Sequence, residues 1–446
     1  MPAPDLSALR AFRTDLHGCF PRRADALFEL VDALLTADPV ASLPHLSLQA
    51  AHRRGWGSLY DALAEGALDA AALRRVLTWH ATGDGSAVYA LDQSVWPRCD
   101  AEASPDRGFY YHPSRHSAGQ PIVAGWAYQW LARLSFERDS WTTPLDVQRV
   151  HPSQNTNAVA VDRIKNLLSH LPRGGAPPLF VFDAGYDSAQ VTHGLQQLPA
   201  AVLIRLRADR CFYADPPPAR PSPKGGRPRT HGTKFACKDP ATWPAPTVEH
   251  VVEDAQYGTV HVRAWANLHP KQRAHPGRGT RKPRPIVRGT VVLVEVSRLP
   301  ARPYPPQVLW LWWAGPGTPD LDLVWRAYVR RFALEHTLRF CTQSLGWTTP
   351  RVRHPEQADR WTWLVVAAYT QLRRARSWVA DRRLPWERPL ARGTLTPSRV
   401  RRALSALLPM VGTPAAAPKP CGRSPGRPKG SRSGRATRHP ALKKAA

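Results

Sequence analysis

Lysine is scarce in this chain of 446 residues: ten of its 62 basic side chains are lysine and the others arginine. Cysteine is scarce too. Six are scattered, at Cys19, Cys99, Cys211, Cys237, Cys341 and Cys421, with no Cys-x-x-Cys pair. That spacing argues against structural zinc and against a disulfide framework, and it fits a reducing compartment. No stretch approaches ~18 consecutive apolar residues, so a membrane span is not expected. The first residues lack a basic segment followed by an apolar run, so a signal peptide is not expected either. Acidic residues vanish after Glu387.

What is present is positive charge. The formal net charge is +28. From Arg373 onward there are nineteen Lys and Arg against two acids, Asp381 and Glu387. A field of that sign attracts polyanions, and nucleic acid is the default partner. The arginine and proline excess also suits a GC-rich genome, but the acid-free C-terminal stretch exceeds what codon bias supplies. The expected setting is the cytoplasm, beside nucleic acid. The length allows two to four domains with at least one large core.

Residues 1–80 read as all-α: Ala24, Leu27, Phe28, Val31, Leu34 and Leu35 recur at helical spacing, with Ser47 and Asp69 as candidate N-caps. From residue 85 the pattern turns to β. A buried strand over 87–92 ends on Asp92. A polar loop with Arg98, His112, Arg115 and His116 follows, then strands over 121–128 and 130–136, and a helix over 157–170. A second apolar strand, 178–183, ends on Asp183. A helix over 188–195 and a strand over 201–206 complete a βββαβαβ order. Residues 207–318 begin rich in Pro, Gly and cations and then carry four strand-like runs, which reads as a β-rich insertion. Helices resume over 319–384, and 385–446 reads as a basic, largely disordered tail. The fold class expected is α/β.

Three acids stand out within this frame. Tyr328, Arg331, Glu335 and Arg339 fall on one side of a helix, which gives a face with a lone carboxylate among cations. Asp92 and Asp183 end two apolar strands, where adjacent parallel strands would place them side by side. Either aspartate alone could simply cap a turn. Together with Glu335 they would repel one another unless cations held them. Mg²⁺ or Mn²⁺, hard ions preferring oxygen ligands, suit such a set. Two ions ~4 Å apart could activate water or a 3′-hydroxyl and stabilise the leaving oxygen.

The segment Ala90-Leu91-Asp92, the run Asp183-Ala184-Gly185-Tyr186-Asp187 and the pattern Tyr328-x2-Arg331-x3-Glu335 resemble the three acidic regions of bacterial insertion-sequence DDE transposases. The likeness spans roughly residues 85–380. It implies an RNase H-like mixed sheet flanked by helices, split by a β-strand insertion before the last acid. It implies that Asp92, Asp183 and Glu335 bind two Mg²⁺ or Mn²⁺ ions and that Tyr328 and Arg331 hold phosphate. It further implies double-stranded DNA partners (element ends and target), a synaptic dimer, and a helical N-terminal domain that binds element ends. One position departs from the pattern: the family's lysine, seven residues after the Glu, is Thr342 here, and Arg339 is the nearby cation on that face.

Other features are less specific. Gly-Arg-Pro occurs with Arg227 and Arg229, and again with Arg427. Such segments can lie in a narrow minor groove, or can be basic linkers. Trp312, between Trp310 and Trp313, is either core or a platform for an unstacked base. His112 and His116 have ligand-like spacing without cysteine partners. His52, Arg53 and Arg54 could touch a nucleic-acid backbone, or the N-terminal helices could serve dimerisation. Two other functions stay open: a nuclease of the same fold that does not join strands, and an inactive relative that only binds DNA.

Overall fold

The computed structural model describes residues 6–81, 87–112, 120–137, 139–172, 174–218, 229–271, 286–300, 308–391, 393–420, 426, 428–432 and 434–443. In chain order its elements are helices α1 (Ser7–Gly18), α2 (Ala24–Thr36), α3 (Leu43–Leu46), α4 (Gly57–Glu65) and α5 (Ala70–Trp79); strands β1 (Val88–Pro97), β2 (Gly108–Tyr111), β3 (Ile122–Leu134) and β4 (Thr142–Val150); then α6 (Thr156–Leu168), β5 (Leu179–Phe182), α7 (Ser188–Leu195) and β6 (Ala201–Leu206). Strands β7 (Cys211–Tyr213), β8 (Lys234–Ala236), β9 (Val248–Asp254), β10 (Gly258–Pro270), β11 (Gly289–Val296) and β12 (Val308–Ala314) follow, and α8 (Leu321–Gln343), α9 (Pro355–Ala375) and α10 (Pro397–Val411) close the order. This is the mixed α/β class with helix-flanked mixed sheet that an RNase H-like fold requires. The chain forms two compact units. One comprises Met1–Ser86, Gln93–Asn155 and Ala333–Ala446; the other comprises Ala87–Asp92 and Thr156–Phe332.

In the first unit, α2 and α9 carry the core. Buried residues run unbroken from Ala26 to Leu35 and from Trp361 to Leu372, as in helices enclosed on all sides. The acids inside α2 are matched by cations: Asp32 takes two hydrogen bonds from Arg13 at 2.7 and 2.8 Å, and Glu29 meets Arg53 at 2.7 Å. A bidentate guanidinium is what lets such a carboxylate sit in a core. Asp69 caps α5 by accepting from the Ala72 amide at 2.9 Å, as expected. Ser47 does not cap a helix start. It follows α3 and donates to the Pro44 carbonyl, while Ser42 caps α3.

Strands β2, β3 and β4 form an antiparallel meander. The two strands read over 121–136 are one strand, β3, and β4 lies where no strand was read. Its Thr, Pro, Asp and Arg residues hide a strand that is buried along most of its length. The segment 385–446, read as largely disordered, contains α10, whose Val400, Ala403, Leu404 and Leu407 are buried. Further along, Arg107 donates to the His439 carbonyl at 2.6 Å, the His439 amide to the Glu102 carbonyl at 2.8 Å, and the Leu442 amide to the Arg107 carbonyl at 2.6 Å. Backbone groups without such partners would stay in water; here they are paired to the edge beside β2.

In the second unit, the first half of β1 lies parallel to β5, and β5 lies parallel to β6. Strand β12 runs antiparallel to β6, and β11 and β10 continue the sheet from there. The insertion is thus an extension of the same sheet. Trp312 sits in its middle, paired between Ile204 and Val291. It is fully buried, stacks on Phe212 at 5.3 Å, and donates its indole N–H to Thr192 Oγ of α7 at 3.0 Å. A platform for a base needs an open ring face, and Trp312 has none. Its role is core packing, which corrects the base-stacking expectation.

Candidate active site

The register of three parallel strands builds the site. Leu91 pairs with Phe182, and Phe182 pairs with Ile204. One residue further on stand Asp92, Asp183 and Arg205. Neighbouring strands lie ~4.8 Å apart, so these three form a row just past the parallel pairing of β1, β5 and β6. Carboxyl ends of parallel strands are where open α/β sheets bind ligands, because the chain leaves the sheet there and exposes backbone and side chains together. One detail differs from the expectation: β1 does not end at Asp92 but runs on to Pro97.

Each aspartate is held. Asp183 Oδ1 accepts the Gly185 amide at 3.0 Å, closing a tight turn after β5. A Cβ on Gly185 would lie 3.1 Å from that oxygen, so glycine permits the close approach. Asp92 Oδ2 accepts from Arg331 Nη1 of α8 at 3.1 Å, with side chains 14% and 8% exposed respectively. The Arg331 guanidinium also lies 5.7 Å from the centre of the Tyr328 ring. Tyr328, Arg331 and Asp92 are therefore brought together as a unit. Asp187, four residues after Asp183, serves the fold by capping α7, where it accepts the Gln190 amide at 3.0 Å.

Helix α8 is continuous through Glu335 and Arg339, so both follow Arg331 at one-turn intervals on one helix face. Glu335 is half-buried and Arg339 exposed. Thr342, at the position of the expected lysine, turns its hydroxyl back to the Leu338 carbonyl at 2.9 Å. Among the described residues, no group of three or more His, Cys, Asp or Glu is placed to hold a metal ion together. The register does bring two carboxylates side by side. Two carboxylates, with water and substrate phosphate completing the shell, are a donor set that suits Mg²⁺.

Of the remaining expected nucleic-acid contacts, Arg229 is exposed. Arg227, Arg427, Arg115 and His116 lie outside the described residues. His112 is engaged through its amide with the Pro121 carbonyl at 2.9 Å. Arg53 and Arg54 are occupied by Glu29 and by the Ala415 and Ala416 carbonyls. Sequence patterns sought for their acids pass over Arg205. Its signal is of the same kind, since 201–206 is an apolar strand with a polar residue near its end, but the sign of the charge is opposite.

Residues 15–283 match the family described as DDE superfamily endonuclease. The chain belongs to that family. The matched stretch holds Asp92 and Asp183 and ends before Glu335. No curated protein matches the chain. Membership in the DDE endonucleases makes nucleic-acid cleavage its class of chemistry, with DNA as substrate and divalent metal as the usual cofactor of the family. No helix among the described residues of this DDE endonuclease is long and apolar enough to cross a membrane.

Proposed function

We propose that this DDE endonuclease is a DNA transposase of the insertion-sequence kind, cutting the ends of its element and joining the freed 3′-hydroxyls to target DNA. One observation carries the reading. Asp92 and Asp183 stand side by side just past the parallel pairing of β1 with β5, with Arg331 bonded to Asp92 one helical turn ahead of Glu335. Asp92, Asp183 and Glu335 are the residues proposed to hold Mg²⁺ or Mn²⁺, in a two-ion arrangement. The chemistry such ions supply is activation of a water or hydroxyl nucleophile and stabilisation of the leaving oxygen. The protein's own part is positional. Arg331 orients the Asp92 carboxylate, Tyr328 flanks the guanidinium, and Arg339 offers an exposed cation to a phosphate further along the same face. Arg229, Arg227 and Arg427 are proposed as backbone or minor-groove contacts beyond the site. Coordinated cutting of two ends calls for a dimer, and the nucleoid is where such a chain would work.

The test supplies pre-cut element ends and target DNA with Mg²⁺ or Mn²⁺. Joined product is expected. Cleavage without joining would make the chain a nuclease, and binding without either would make it an inactive DNA binder. Thr342 is the observation that favours the last reading, because a hydroxyl bonded to its own helix cannot replace a lysine on the strand. Asp92→Ala, Asp183→Ala and Glu335→Ala should each abolish cleavage and leave DNA binding. A Glu335→Ala protein that cuts at the wild-type rate would remove Glu335 from the site.

A further inference from the structure

We infer that Arg205, with Arg207, Arg210 and Lys271, seats the phosphodiester backbone of the bound DNA directly beside Asp183. The inference rests on the reading of the chain as a DNA-processing enzyme and names where on this molecule the substrate lies.

Strand β6 is buried at every position except Arg205. The same strand register that sets Asp92 beside Asp183 sets Arg205 next in the row, on the far side of Asp183. A cation placed there for stability alone would pair with its acidic neighbour. It does not: Asp183 accepts the Gly185 amide on Oδ1, and among the described residues no ion pair joins it to Arg205. Among the described residues, none of Arg205, Arg207, Arg210 and Lys271 forms an ion pair, in a chain where many arginines do. All four line one cleft of about 360 Å³, whose wall is the turn that follows Asp183 and includes Tyr186. Two acids reach the same cleft. Asp187, whose carboxylate caps α7, and Asp209 stand against the four cations, so the cleft keeps a net positive charge.

Unpaired guanidinium groups in a concavity keep their full hydrogen-bonding capacity for an incoming oxyanion, and they match phosphate oxygens two at a time. A phosphodiester backbone is the ligand that offers such oxyanions in series. Seated here, it would run from Asp92 and Asp183 outward over β6 and the start of the insertion. Arg205 is then the positioning contact nearest the scissile phosphate, and Arg207, Arg210 and Lys271 hold the strand that leads away.

The experiment measures the affinity of the full chain for a short duplex of mixed sequence across a salt series, beside an RNA duplex of the same sequence. Each phosphate contact contributes roughly 0.9 to the slope of log affinity against log salt. Arg207→Ala/Arg210→Ala should lower that slope by about 2 for DNA. Arg205→Ala should lower it by about 1 and also slow cleavage at saturating DNA, by roughly 100-fold if the scissile phosphate shifts by about an ångström. Arg205→Lys should restore most of the slope. Arg263→Ala, a cation of β10 already held by Glu295, serves as the control and should change nothing. Melting curves verify that each variant is folded. If folded variants keep the wild-type slope, the inference is overturned and the transposase reading stands. If the substitutions weaken RNA binding alone, the assignment to DNA is overturned. If the wild-type chain binds no DNA at all, the reading itself fails and the inference goes with it.

Discussion

At Asp92, the carboxylate proposed for the chemistry also serves the fold. Its bond to Arg331 is nearly buried, and removing one member leaves the other charge without its partner. Breaking such a pair costs ~3 kcal/mol or more when fully buried, so Asp92→Ala should lower stability toward that figure. Asp92→Asn keeps an oxygen for the guanidinium and should cost distinctly less, ~1–2 kcal/mol. Both should abolish cleavage. Urea unfolding of the two variants checks this. Equal losses of stability would mean that the Arg331 contact contributes little to folding. Residues of this kind were partly legible in advance. Asp92 and Asp183 were visible through their joint pattern with Glu335, since either aspartate alone could have capped a turn. Arg205 also stands near the end of an apolar strand, with the opposite sign of charge, and its importance depends on the register of a neighbouring strand. Trp312 was ambiguous for a different reason. Alternation along a strand tells which side a residue faces, and says nothing of whether α7 covers that side.

At the scale of elements, the join between β6 and β12 makes β10–β12 continuous with the sheet that carries Asp92 and Asp183. Gly289 at the start of β11 lets the Trp312 ring lie close: a Cβ there would come 2.4 Å from Trp312 Cζ2. Gly289→Ala should therefore destabilise the second unit by ~1–3 kcal/mol, because the ring must leave its well-packed place. Combining it with Trp312→Leu should cost less than the two separate losses added, a coupling that a double-mutant cycle in urea would measure. Additive losses would show that the ring does not depend on Gly289. Helix α10 offers a pH-dependent test in the first unit. Glu387 accepts from Arg402 at 2.6 Å and from the Leu384 amide at 2.7 Å, and these bonds hold its pKa down, to about 2. A carboxylate depressed in the folded state stabilises above its ordinary value near 4.5, and that contribution is lost as pH falls toward 2. Thermal melts between those limits should show a smaller pH dependence for Glu387→Gln than for wild type. Identical profiles would remove Glu387 from the acid response. The helix itself shows how composition misleads: the flanking Pro/Arg-rich sequence suggested disorder, while Val400, Leu404, Leu407 and Val411 already had helical spacing.

For the whole molecule, net charge of +28 and a divalent-metal family make two separable predictions about solution behaviour. Chelating the metal should abolish cleavage while leaving most DNA binding, because the affinity comes from arginines and counterion release and not from the ion. A chelated protein that no longer binds DNA would place the ion in the binding term instead. The chain's own order of residues determined the class of chemistry. Charge, the absence of zinc and membrane patterns, and three acids in recognisable settings are local properties, carried by each segment wherever it lies. Tertiary structure alone decided which side chains stand together. The parallel register of β1, β5 and β6 sets Asp92, Asp183 and Arg205 in one row, and the fold of the second unit brings Arg331 onto Asp92 across 239 residues of sequence. Neighbourhood of that kind depends on how strands pair and helices pack, and those pairings minimise exposed apolar surface over a whole unit, which no single segment encodes.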